Sequence, residues 1–177
     1  MQQKKIVITG GPGTGKTTVI NELIDRGYSC KTEISRQVTL AAREEGIEQL
    51  FLTDPLLFSE KLLEGRAAQY LEADKTEDSL VFFDRGLPDV HAYMNFTNTE
   101  YPPLYETTCK AHPYTKVFIM PPWKEIYTCD NERYEDYKTS VALYKYLKKG
   151  YEELGYHLIE VPTGTVEFRT DFILKSL

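Results

Sequence analysis

Residues Gly10-Gly11-Pro12-Gly13-Thr14-Gly15-Lys16-Thr17 meet every fixed position of the pattern G-x-x-x-x-G-K-[S/T]. Together these residue types can hold phosphate oxygens. Glycines let successive backbone N–H groups turn inward around an anion with no Cβ in the way. A helix opening after Gly15 would add the partial positive charge of its N-terminus. Lys16 is placed to reach the β and γ oxygens of a nucleotide, and the Thr17 hydroxyl is an oxygen ligand for Mg²⁺. A dinucleotide-binding reading of the same glycines fails, because Gly11 and Gly13 would then need a third glycine where Lys16 stands. The first 20 residues carry Lys4, Lys5 and Lys16 and no acid, a local charge of +3 that favours an anion.

Four further groups have chemistry to offer. Asp84-Arg85-Gly86 follows Leu80-Val81-Phe82-Phe83, and an Asp closing an apolar strand is the Walker B arrangement, an oxygen donor for Mg²⁺ or its water shell. Arg85 beside it would clamp a charged substrate, which suits phosphoryl transfer to an acceptor. Asp89 would assist there or serve the start of a helix. Glu33 would accept the proton of an acceptor hydroxyl, with Arg36 three residues on, and the residues leave open whether Glu33 or Asp84 is the base. Arg133 lies among Asp130, Glu132, Glu135 and Asp136 in a loop beginning at Pro121, where a lid would carry it onto the transferring group. Thr163-Gly164, after the last apolar run, would present backbone amides to an adenine edge or form a plain turn with Thr165 as the helix cap.

The elements that must hold these residues alternate. Strands are expected over residues 5–9, 28–34, 79–83, 116–120 and 158–161. Helices are expected over 17–26, 35–45 with Ser35 as N-cap, 54–73, 88–96, 103–111, 141–154 and 166–174. Val141, Tyr144, Leu147, Tyr151 and Leu154 recur at helical spacing and read as a core-facing stripe. Strands that are apolar without alternation are typical of a parallel sheet covered on both faces. Right-handed crossovers then put the ligand crevice at the carboxyl ends of the strands, where every candidate residue falls.

The chain has 177 residues with 27 acidic against 21 basic, a net charge of −6. That balance argues against extended nucleic acid and against an anionic membrane surface. No apolar run approaches the ~18 residues of a membrane span, and Ile6-Val7-Ile8 is too short for a signal-peptide core. Cys30, Cys109 and Cys129 form no C-x-x-C pair and read as reduced thiols of a cytoplasmic protein. The three histidines have no metal-ligand spacing. The length suits one domain, residues 1–177, with a lid over about residues 121–140.

In Ile8 to Thr18, Thr32-Glu33-Ile34-Ser35-Arg36, Phe83-Asp84-Arg85-Gly86 with Asp89 and Tyr93, Asp130-Asn131-Glu132-Arg133, Gly155-Tyr156, Val161-Pro162 and Arg169, the chain resembles a known family. This is the AAA-like P-loop ATPase/kinase domain family related to nicotinamide-riboside kinases. The resemblance implies a three-layer α/β P-loop NTPase fold with a five-stranded parallel sheet of order 2-3-1-4-5. It also implies ATP or another NTP with Mg²⁺, a lid carrying Arg133, and a base or metal-linked carboxylate at Glu33 and Asp84. The expected activity is transfer of the γ-phosphoryl group to a small hydroxyl-bearing acceptor, nucleoside- or riboside-like. The alternative is an NTPase or nucleotide-dependent switch acting on a protein partner; no N-K-x-D motif supports a guanine-specific switch.

Overall fold

The computed structural model of the chain describes residues 3–127 and 137–177. Five parallel strands form one sheet in the order β2-β3-β1-β4-β5. They are β1 (Lys4–Gly10), β2 (Ser29–Lys31), β3 (Leu80–Asp84), β4 (Lys116–Met120) and β5 (Leu158–Glu160). The helices are α1 (Lys16–Asp25), α2 (Ser35–Glu44), α3 (Leu50–Thr53), α4 (Pro55–Ala73), α5 (Leu87–Phe96), α6 (Leu104–Ala111), α7 (Tyr137–Glu153) and α8 (Val166–Lys175), with a 3₁₀ turn at Lys124–Ile126.

The continuous apolar runs are explained by two cores, one on each face of the sheet. Ile6, Ile8, Phe82 and Phe118 point to one face and pack on Val19, Ile20 and Leu23 of α1 and Ile173 of α8. Val7, Val81, Phe83 and Val117 point to the other and meet Leu62 and Leu63 of α4, Val90 and Met94 of α5 and Tyr151 of α7. The period of two in a strand thus produces alternation between two buried faces rather than between core and water.

Register brings the candidate residues to one edge. Ile8 pairs with Asp84 on β3 and Phe118 on β4, and Gly10 pairs with Met120. Arg85 N–H continues the ladder by donating to Ile8 O at 3.1 Å. Asp84 therefore stands across from the last residues of β1 before the glycine loop.

Three expectations are corrected. The second strand covers only Ser29–Lys31, because the chain turns at Glu33. Ser35 is the first residue of α2 rather than its cap. Glu33 Oε1 accepts from the N–H groups of Ile34 and Ser35, at 2.9 and 3.0 Å, and does the capping instead. Helix α3 was not anticipated. Elsewhere the expected caps hold: Asp54 accepts from Leu57 N–H at 3.0 Å and Thr165 from Phe168 N–H at 3.2 Å.

Candidate active site

The loop between β1 and α1 needs its glycines for geometry of its own. Gly13 and Gly15 have φ of +71° and +78°, in the left-handed region that L side chains seldom adopt. A Cβ on Gly13 would collide with the Tyr127 ring, and one on Gly15 would lie 2.7 Å from a guanidinium nitrogen of Arg169. The loop is braced from outside by Ser140 of α7, whose hydroxyl donates to Pro12 O at 3.0 Å. It is braced internally by Thr14, whose hydroxyl donates to Gly11 O at 3.0 Å. Gly10, Gly11, Pro12, Gly13, Thr14 and Gly15 thus form one preset turn opening α1.

Lys16 lies at the first position of α1, 8% exposed, with Nζ donating to Gly11 O at 3.3 Å. Burial, together with the Arg85 charge, lowers its pKa to about 8 against the opposing pull of Asp84, Glu33 and Asp89. Thr17 and Thr18 follow on the exposed side of the same turn. Lys4 and Lys5 contribute nothing here. They begin β1, about 20 Å from its loop end at the rise of a strand, and Lys5 pairs with Asp74 at 2.5 Å. The local +3 counted along the sequence therefore reduces to Lys16.

Beside the loop lies a dense charged cluster. Arg85 has φ +70°, a left-handed conformation for a residue with a side chain, of the kind that collects at functional sites. Its Nε donates to Glu33 Oε2 at 2.6 Å, and Nη1 reaches Asp89 Oδ1 at 3.4 Å. Arg66 of α4, 4% exposed, donates to Glu33 Oε1 at 3.1 Å and to Gly86 O at 3.2 Å. Asp89 is 3% exposed, and both its oxygens are engaged. Thr9 Oγ1 donates to Oδ1 at 2.6 Å, Gly86 N–H to Oδ2 at 2.8 Å, and the Tyr151 hydroxyl to Oδ2 at 2.5 Å. Its place is beneath the site, tying β1, the β3–α5 turn and α7 together, rather than facing a substrate as expected.

The two carboxylates suggested as base are electrostatically unlike. Burial alone would raise Glu33, but Arg66 and Arg85 outweigh it and hold the carboxyl down at about 2. Burial raises the Asp84 pKa, and Lys16 and Arg85 do not cancel the effect. Asp84 is 6% exposed, and its Oδ1 is buried with no hydrogen-bond partner. A buried carboxylate oxygen with no hydrogen-bond partner among the described residues, beside a lysine in a phosphate-type loop, fits an oxygen donor for a divalent cation or an acceptor for an incoming proton. Among the described residues no cluster of three or more His, Cys, Asp or Glu forms a cage for a metal.

The structure brings together Lys16, Glu33, Asp84, Arg85 and Asp89. Arg36 is exposed in the first turn of α2. Thr163 is exposed and Gly164 packs beneath Phe168; the contact from this end of the chain to the loop is Arg169 instead. Arg133 and most of the acidic lid segment lie outside the described residues. Cys30 and Cys109 are free thiols, each pushed up to about 12 chiefly by burial. Sequence reasoning missed Arg66, whose only signal is an arginine within the apolar stripe Leu62, Leu63, Ala67, Tyr70 of α4. It also missed Ser140 and Tyr127, for which no local signal exists. No helix among the described residues is long and apolar enough to cross a membrane.

Comparison with known proteins agrees with this picture. The profile of the AAA domain family matches residues 5–169. Among solved structures, deoxyadenosine kinase from M. mycoides superposes with a TM-score of 0.70 at 16% identity, covering 97% of each chain. NadR in complex with NR superposes at 0.77 and 16% identity; the match covers 98% of this chain and 51% of NadR, so the chain spans about half of that protein. Shikimate kinase from Acinetobacter baumannii in complex with shikimate follows at 0.59 and 17% identity, covering 98% and 92%. These likenesses show a P-loop kinase fold. No curated protein matches the chain by sequence.

Proposed function

The chain belongs to the AAA domain family, and from that membership, its fold and the charged cluster beside the loop we propose a small-molecule kinase. It transfers the γ-phosphoryl group of ATP, with Mg²⁺, to a hydroxyl of a nucleoside- or riboside-like acceptor. The observation that carries the reading is the Glu33–Arg85 pair, set next to Lys16 and Asp84 and backed by Arg66 and Asp89. A hydrolytic switch needs the phosphate loop and a metal carboxylate. It has no use for a second, preset guanidinium–carboxylate pair on the acceptor side of the loop.

In this reading the loop amides and Lys16 hold the triphosphate, and the Thr17 hydroxyl and Asp84 are the oxygen donors suited to Mg²⁺. When bound, the ion neutralises charge on the phosphate oxygens. Arg85, aimed by Glu33 and Asp89, holds the acceptor. Glu33 is held too acidic by Arg66 and Arg85 to take a proton at neutral pH, so its part is to hold Arg85, and Asp84 serves Mg²⁺ or its water shell. Most of the rate comes from positioning and fixed charge. Arg133, which lies outside the described residues, adds a further positive group from a lid; of the expected lid range 121–140, residues 137–140 belong to α7 and Ser140 braces the loop. The chain acts as one domain in the cytoplasm, its partners being a nucleotide and a small acceptor.

The test is a panel of nucleosides and ribosides with ATP and Mg²⁺, reading ADP release above the acceptor-free rate. A kinase responds to a subset of related acceptors, and a phosphorylated product appears by mass spectrometry. A flat response with persistent basal ATP hydrolysis would instead support a nucleotide-dependent switch.

A further inference from the structure

Three arginines are held in or against the site, and one of them has no counter-charge among the described residues. Arg66 and Arg85 both pair with Glu33. Arg169, in the first turn of α8, is as buried as Arg66, at 4% exposure for each. No carboxylate among the described residues pairs with it, and burial pushes its pKa down unopposed. Its Nε has no hydrogen-bond partner. One Nη donates to Thr14 O at 3.0 Å, the guanidinium lies against Gly15, and the Trp123 ring lies 5.5 Å from its centre. A buried cation without an anion is unfavourable, yet this one is fixed at the back of the loop whose front is built for phosphate.

We infer that Arg169 is a positioning residue for the nucleotide: it fixes the Thr14–Gly15 turn from behind, and its charge finds its counter-ion only when a polyphosphate fills the loop. The inference rests on the nucleotide reading above. It makes the C-terminal helix part of the phosphate site. Lys16 and Arg169 then face the anion from opposite sides of the same backbone, one reaching into the cradle and one acting through it.

A structural brace and a charge partner differ in what their removal does to the empty protein. Wild type, Arg169→Met and Arg169→Lys are compared by calorimetric titration with ATP, ADP and adenosine, and by thermal unfolding with and without ATP. The expected result is that Arg169→Met weakens ATP about tenfold, the size of a lost charge-assisted contact. The loss is smaller for ADP and absent for adenosine. The melting temperature without nucleotide stays at the wild-type value, while the rise on adding ATP shrinks. Arg169→Lys, which keeps the charge, recovers most of the affinity.

Equal affinity of wild type and Arg169→Met for ATP overturns the inference and leaves the nucleotide reading intact. A melting temperature that drops equally with and without ATP overturns it too, since Arg169 is then a fold residue only, and so does a methionine variant that cannot fold while the lysine variant shows no affinity change. A wild-type protein that binds no ATP overturns both.

Discussion

Arg85 donates its Nε–H to Glu33 Oε2 at 2.6 Å, across from the β3–α5 turn to the turn that follows β2. The same carboxylate takes Arg66 and the two amides that open α2. Glu33 is thus the counter-charge for two guanidiniums and the cap of a helix at once. Its value to the fold and its value to the site are inseparable, and its substitution must be read with stability measured alongside activity.

Glu33→Gln removes the carboxylate that Arg66 pairs with and leaves Arg85 only its longer contact to Asp89. The expected stability loss is about 3 kcal/mol, the range for removing one partner of a buried ion pair. Urea unfolding checks it; a midpoint equal to wild type would show that the two arginines are compensated elsewhere.

Acid dependence follows from the same group. The folded pKa of about 2 lies below the unfolded value of 4.5. The stabilisation is therefore fully present above about pH 4.5 and is lost as pH falls toward 2. The difference in unfolding free energy between wild type and Glu33→Gln should be flat from pH 5 to 8 and shrink steadily below 4.5. A difference that stays constant down to pH 2 would dismiss the assignment.

Asp84→Asn removes the charge but keeps the shape. Turnover should fall at least about a hundredfold, the usual scale for a lost proton acceptor or metal carboxylate. The melting temperature should not fall, because the buried Oδ1 has no partner to lose. Retained turnover in a folded Asp84→Asn protein would remove Asp84 from the mechanism.

Lys16 titrates near pH 8 in the free protein. A bound polyphosphate restores its proton, so ATP binding at pH 8 should take up protons, and at pH 6.5 it should take up none. Titration calorimetry in two buffers of different ionisation enthalpy reads this directly. Lys16→Ala should abolish the uptake together with most of the affinity, and uptake that persists in that variant would assign the proton to another group.

The parts of this site visible in the sequence are those written in contiguous residues. The glycine loop, its lysine and the Asp that ends β3 are fixed by a strand and a turn a few residues away, so pattern alone finds them. The apolar runs of β1, β3 and β4 identify central strands because both faces are buried. Arg66, Ser140 and Arg169 are different: their partners lie 33, 128 and 155 residues away. Only the packing of α4, α7 and α8 on the sheet brings them in. Asp89 was singled out for the right neighbourhood, but its burial depends on Tyr151, which reads from spacing as core alone. The end of β2 was misplaced because Glu33 diverts the chain into a capped turn, a decision made by Arg66 and Arg85 from elsewhere.

The packing of Tyr127 on Gly13 and of Arg169 on Gly15 bears on how this motif would change in descent. Both glycines are demanded by neighbouring side chains and by their own φ, with no nucleotide involved. A lineage that abandoned catalysis would keep them for as long as it kept the fold. Thr17 is exposed and under no such steric constraint, so it would be free to drift first. An intact row of glycines in a relative of this chain is therefore a record of packing, and under the function proposed above retained chemistry would be judged from Thr17, Asp84 and the Glu33–Arg85 pair.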